Sequence, residues 1–108
     1  MTANVRIEWA VLSTIDNTSV LSSLKTAEYV TCNTTVQGNS SATTNTTVAS
    51  GGILTAKVTA TDTAIYVGVG DSSNSVSNTG NNGILIANTN SRTFRVANGE
   101  FVYSIQVP

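Results

Sequence analysis

The sequence predicts an all-β fold, a small β-sandwich or jelly-roll-like barrel of about seven or eight antiparallel strands. Three observations carry the prediction. Val, Ile and Thr make up 38 of 108 residues, and these β-branched side chains are stiff at χ1 and favour strands. Several stretches alternate apolar and polar side chains with a period of two. Turn-forming clusters of Gly, Asn, Asp and Ser separate them. Ser, Thr and Asn contribute 43 residues, yet Val, Ile, Leu and Phe still supply 27, enough apolar surface for a folded core. A net charge of -1 adds no self-repulsion to hold the chain open.

The elements follow in order. VRIEWAVL alternates, with Val5, Ile7, Trp9 and Val11 on one face and Arg6, Glu8 and Ala10 on the other. STIDNTS is turn-like. Residues 19–25, SVLSSLK, fit either one helical turn or a short irregular strand through Val20, Leu21 and Leu24. Residues 27–33 return to strand propensity through Tyr29, Val30 and Thr31. The polar stretch TTVQGNSSATTNTT, residues 34–47, reads as loops and edge strands with a turn at Gly38-Asn39. ILTAKVTA alternates through Leu54, Ala56, Val58 and Ala60. Thr61-Asp62 is a turn. AIYVGVG alternates through Ile65, Val67 and Val69, with Tyr66 and two glycines opposite, where another backbone can approach closely. Residues 71–83 form a polar loop, GILIAN a short strand, and RTFRV directs Phe94 and Val96 inward and Arg92 and Arg95 outward. Asn98-Gly99 is a strong hairpin signal. FVYSIQV puts Phe101, Tyr103, Ile105 and Val107 on one face. The chain is one domain: residues 1–33 hold N-terminal strands or an extended arm, 34–52 a polar loop and edge region, and 53–108 the best-defined β core.

The composition points away from several functions. There is no histidine, and no two of the six carboxylates (Glu8, Asp16, Glu28, Asp62, Asp71, Glu100) are close in sequence, so no acid–base pair is visible and no catalytic residue is assigned. The single cysteine, Cys32, allows neither an internal disulfide nor a zinc cluster and reads as a buried small hydrophobe. No cofactor or metal is expected. Asp71, Asn74 and Asn78 offer oxygen ligands, but without calcium-loop spacing, and read as a solvated loop. Five Lys and Arg spread through the chain predict no nucleic-acid partner, and no apolar run predicts a membrane span. The N-terminus lacks signal-peptide character, which predicts synthesis in a cytoplasm. Asn17, Asn33, Asn39 and Asn45 head glycosylation sequons, which arise by chance in a chain this rich in Asn, Ser and Thr. With charged residues at 10%, the surface is mostly hydroxyl and amide, suited to packing against neighbours. Candidate partner-interface residues are Trp9, Tyr66, Arg92 and Arg95.

Two stretches, DTAIYVGVG (residues 62–70) and FRVANGEFV (residues 94–102), give the C-terminal part a resemblance. The order of strands and turns over residues 51–108 resembles the small all-β virion proteins of tailed bacteriophages, in particular head decoration or cement proteins. The resemblance implies a protein on the capsid exterior, made in the host cytoplasm. It would bind the major capsid protein, act as a homotrimer and stabilise the head through symmetric contacts. It carries over no individual residue. Competing expectations are another virion part, such as a neck, tail or fibre-tip β-domain, and a carbohydrate-binding module. The latter needs an exposed, coplanar pair among Trp9, Tyr29, Tyr66 and Tyr103.

Overall fold

The computed structural model describes residues 2–15, 18–40, 52–71, 83–97 and 99–108. Two four-stranded antiparallel sheets pack face to face. Eight strands run in chain order: β1 (Ala3–Ile15), β2 (Thr18–Cys32), β3 (Gly38–Asn39), β4 (Gly52–Ala60), β5 (Ile65–Gly70), β6 (Ile84–Ile86), β7 (Ser91–Arg95) and β8 (Phe101–Gln106). The first sheet has the order β2-β1-β4-β7 and the second β3-β8-β5-β6. This is the predicted all-β sandwich.

The pairings are nested. β5 pairs with β6, β4 with β7, β3 with β8, and β2 with β1, all antiparallel. Successive pairs alternate between the second sheet and the first. One long antiparallel ribbon is thus wound on itself, which is the jelly-roll arrangement. The roll is completed by β1, which pairs with β2. The partner of β2 comes from the N-terminal segment instead of following β8. The two chain ends consequently meet. Ala3 pairs with Cys32, and the next residue, Asn33, accepts a bond from the Gln106 amide at 3.1 Å.

Alternation builds the core. Val5, Ile7 and Trp9 of β1 and Leu54, Ala56, Val58 and Ala60 of β4 point into the sandwich. They meet Ile65 and Val67 of β5, Ile86 of β6 and Val102 of β8, with Cys32 and Val96 closing the sides. These are the faces that the sequence pattern assigned on β1, β4 and β5; on β7, Arg92 pairs with the core residue Val58 and so shares the inner side with Phe94 at the exposed sheet edge, while Arg95 lies on the outer face. The N-terminal strands are thus as much a part of the core as residues 53–108.

One open reading is settled and one expectation is corrected. Residues 19–25 lie within strand β2, the strand alternative of the two readings. The ladder with β1 shifts register between Trp9 and Ala10 and again between Val11 and Leu12, so residues 25 and 22 are extra on β2. Two bulges break the period of two that would have marked a strand. The chain turns between Ala97 and Glu100 without forming a hairpin, and Asn98 itself lies outside the described residues. Gly99 has φ 82°, and the Glu100 amide bonds to the Ala97 carbonyl at 3.1 Å, yet β7 belongs to the first sheet and β8 to the second. The turn carries the chain across the sandwich. On β8, Phe101, Tyr103 and Ile105 share one face as predicted, and that face points away from the first sheet. Ser104, opposite Val67, turns inward and is 1% exposed. Its hydroxyl lies 3.4 Å from the Gly38 carbonyl, which lets a polar group occupy a core position. Tyr103 and Ile105 form a second apolar cluster with Tyr66 and Phe101 on the opposite face, so β8 is buried on both sides.

Part of the polar stretch is also described. The Asn33 side chain accepts from the Thr35 amide at 2.9 Å and the Val36 amide at 2.6 Å, fixing the bend that leads from β2 to β3. Ser40 then bonds to Val102 in both directions, amide to carbonyl and amide to hydroxyl, at 2.9 Å each. Residues 41–51 and 72–82, with Asn45, Asn74 and Asn78, lie outside the described residues, as does Asn17.

Gly38 crosses close over β2. A Cβ there would sit 2.5 Å from the Thr31 carbonyl oxygen and 2.6 Å from Val30 Cγ1. Gly38→Ala should lower stability by about 1–3 kcal/mol through overpacking against backbone. Urea unfolding of the two proteins checks this, and an unchanged midpoint would show that β3 does not pack on β2 as described.

Candidate interaction surface

The described titratable groups serve mainly structural ends. Trp9 is 5% exposed, and its indole Nε1 donates to Glu28 Oε2 at 3.0 Å. Glu28 pairs with Ile7 across the ladder, so this carboxylate belongs to the inward-pointing set and satisfies the one polar atom of a buried ring. Trp9 is therefore a core anchor, not a surface contact. Asp62 sits at the corner between β4 and β5. Its two oxygens accept from the Asn4 amide at 3.0 Å and from Asn4 Nδ2 at 2.9 Å, while the Thr61 hydroxyl donates to the Asn4 carbonyl at 2.8 Å. Glu100 Oε1 accepts from the Ala97 amide at 2.7 Å within the crossing turn. Burial pushes the Cys32 thiol above its ordinary pKa, partly offset by a hydrogen bond with Ser104, so it stays a protonated core residue as expected. No group of three His, Cys, Asp or Glu side chains that could hold a metal occurs among the described residues.

Of the other proposed contact residues, Tyr66 is half-buried on the outer face of the second sheet, between Leu85 of β6 and Ile105 of β8. The glycines of its strand stand opposite rings: Gly68 faces Tyr103 and Gly70 faces Phe101. Those rings stack with centroids 6.0 Å apart. The Tyr103 hydroxyl donates to the Asp71 carbonyl. The room left by the glycines thus lies beside this chain's own aromatics. Arg92 and Arg95 are both exposed on β7, the edge of the first sheet. Tyr29, at 70% exposed, is the aromatic side chain most open to solvent among the described residues. With Trp9 and Tyr103 buried, a coplanar exposed pair for stacking on sugars is not formed by the described aromatics.

The outer face of the first sheet brings together residues that are far apart in sequence. One row across the strands is Tyr29, Arg6, Thr59 and Ser91. The next is Ala27, Glu8, Lys57 and Thr93. Beyond them Thr55 pairs with Arg95. The sequence reading named Arg95 but missed Arg6 and Lys57. Each looks like an isolated solvated charge, and only the pairing register makes them neighbours. Arg6 Nε is 3.9 Å from Glu8 Oε1, a loose and solvated contact worth little.

Comparison with protein-family models, with curated proteins and with solved structures finds no match for this chain. No helix among the described residues is long and apolar enough to cross a membrane.

The hydrogen bonds from Asn4 hold the Asp62 carboxyl below its ordinary pKa. A carboxyl whose folded pKa lies below its unfolded one stabilises the fold above the unfolded value, and that contribution is lost as pH falls through the folded pKa. Asp62 should titrate below a typical aspartate in carboxyl-carbon NMR, and Asp62→Asn should flatten the loss of thermal stability in that acid range. A midpoint at or above the ordinary value would contradict the Asn4 staple.

Proposed function

We propose that this chain is a structural virion protein of the capsid decoration or cement type. On this reading it binds the major capsid protein on the outside of a phage head and acts there as a homotrimer. The observation that carries the reading is the use to which the described side chains are put. Glu28, Asp62 and Glu100 tie strands and corners together, Cys32 is sealed in the core, and the outer face of the first sheet is open to solvent around Arg6, Tyr29, Lys57 and Thr93, though covered at Ala10 and Thr55. A protein organised this way acts by contact. The resembling stretches fall on parts of the roll that set its shape. Residues 62–70 hold the β4–β5 corner and β5, and residues 94–102 hold the turn by which the chain changes sheet. Such an element, repeated by particle symmetry, needs only weak individual contacts to bind firmly.

The long hairpin adds reach. β1 and β2 stay paired from Ala3↔Cys32 to Ile15↔Thr18, whereas the strands of the second sheet have six residues or fewer. The molecule is accordingly 44 Å in its longest dimension against 28 and 22 Å in the others. An elongated body suits bridging between neighbouring subunits of a lattice.

Quantitative mass spectrometry of purified particles from the source lysate tests the proposal. A copy number of the same order as the shell protein is expected. A handful of copies would move the chain to a neck, tail or fibre, and absence from the particles would overturn the virion reading.

A further inference from the structure

Three cations on the outer face of the first sheet fall on one straight diagonal. Arg6 lies opposite Thr59, and Lys57 is two residues from Thr59 on β4. Lys57 lies opposite Thr93, and Arg95 is two residues from Thr93 on β7. Each step moves one strand over and two residues along in the same sense, which spaces neighbouring side chains about 7–8 Å apart. All three residues are exposed. Among the described residues neither Lys57 nor Arg95 makes an ion pair, and Arg6 makes only the 3.9 Å contact with Glu8. Among the described residues, three cations on this face stand against Glu8, with the Asp62 carboxylate held by Asn4 at the rim, in a chain whose net charge is -1.

We propose that this diagonal binds an extended acidic polypeptide segment with carboxylates on alternate residues, lying obliquely across β1, β4 and β7. The spacing fits. Alternate residues of an extended chain project on one side about 6.6–6.8 Å apart. Three carboxylates at such positions match Arg6, Lys57 and Arg95 in turn. Exposed hydroxyls of Ser91 and Thr93 beside the line offer partners for the peptide's backbone. A single-stranded nucleic acid has a similar charge spacing but binds through stacking platforms, and on this face Tyr29 is the sole aromatic. Glu8 lies beside Arg6 on the same strand face and opposite Lys57, where it competes with the incoming carboxylates. The inference goes beyond the virion reading and does not depend on it. If particles carry the chain but the peptide does not bind, the virion role stands and this assignment falls.

The probe is a dye-labelled peptide alternating Glu with Thr over one strand length, followed by fluorescence anisotropy with the intact protein. Binding is expected at low salt and should weaken by at least about tenfold between roughly 20 and 200 mM salt, as the charges are exposed. The double variant Lys57→Gln/Arg95→Gln should weaken binding by at least about tenfold, whereas Arg92→Gln, off the diagonal, should change it less than about threefold. Glu8→Gln should tighten it. That gain cannot come from damage to the fold, and thermal melts of each variant check the rest. The proposal is overturned if the wild type does not bind the peptide at low salt or if the double variant binds as the wild type does. It is equally overturned if a peptide with the same glutamates in one block binds as well, or if an oligothymidylate binds more tightly.

Discussion

The fold depends on β1 having a hydrogen-bonded partner along both of its edges. β2 runs beside it from end to end, and β4 lies on the other side from Val5↔Ala60 to Ser13↔Gly52. Without β1 the first sheet would separate into β2 alone and the pair β4–β7. The same strand supplies Ala3, Val5, Ile7 and Trp9 to the core, four consecutive inward positions with no polar interruption. The indole bond of Trp9 to Glu28 ties the core side chains of β1 to those of β2. The remaining strands can be described by how they reach this one.

Because β1 precedes β2 in the chain, the roll has a seam between β1 and β8. In a rolled ribbon the strand following β8 would lie beside β2. Here that place is filled from the N-terminus, and the seam is closed by hydrogen bonds in place of a covalent link. Asn33 receives Gln106, and the Asn4–Asp62 pair fastens the start of β1 to the β4–β5 corner. Each is a polar contact at an exposed or marginal site, where a single bond contributes about 1 kcal/mol. The seam is therefore held by several small terms acting together, and hydrophobic burial along β1 does most of the work of keeping the roll shut.

Much of this was legible in the sequence where the governing interaction is local. Alternation at Val5, Ile7 and Trp9, at Leu54 to Ala60 and at Ile65 to Val69 placed those side chains in the core because burial repeats with the strand's own period. Residues 19–25 resisted because two bulges interrupt that period. Asn98-Gly99 announced its turn through backbone preference, but whether the flanking strands pair with each other depends on distant partners, and here they do not. On β8 the pattern grouped Phe101, Tyr103 and Ile105 on one face, but Ser104 is accommodated inside by hydrogen bonding and both faces are buried, so alternation alone does not say which face meets the first sheet. The diagonal of Arg6, Lys57 and Arg95 could not be read at all. Those residues are dozens of positions apart, and their alignment exists only once the registers of β1, β4 and β7 are fixed.

The double pairing of β1 is open to one direct measurement, residue-resolved amide hydrogen exchange of the native protein. A strand with neighbours on both sides has every amide bonded, whereas a strand at a sheet edge protects alternate amides. Residues 5–9 should all exchange slowly, without alternation, and β2 over residues 28–32 should alternate between slow and fast. Alternating fast and slow exchange along residues 5–9 would mean that β1 lies at an edge, and the closed roll described here would be wrong.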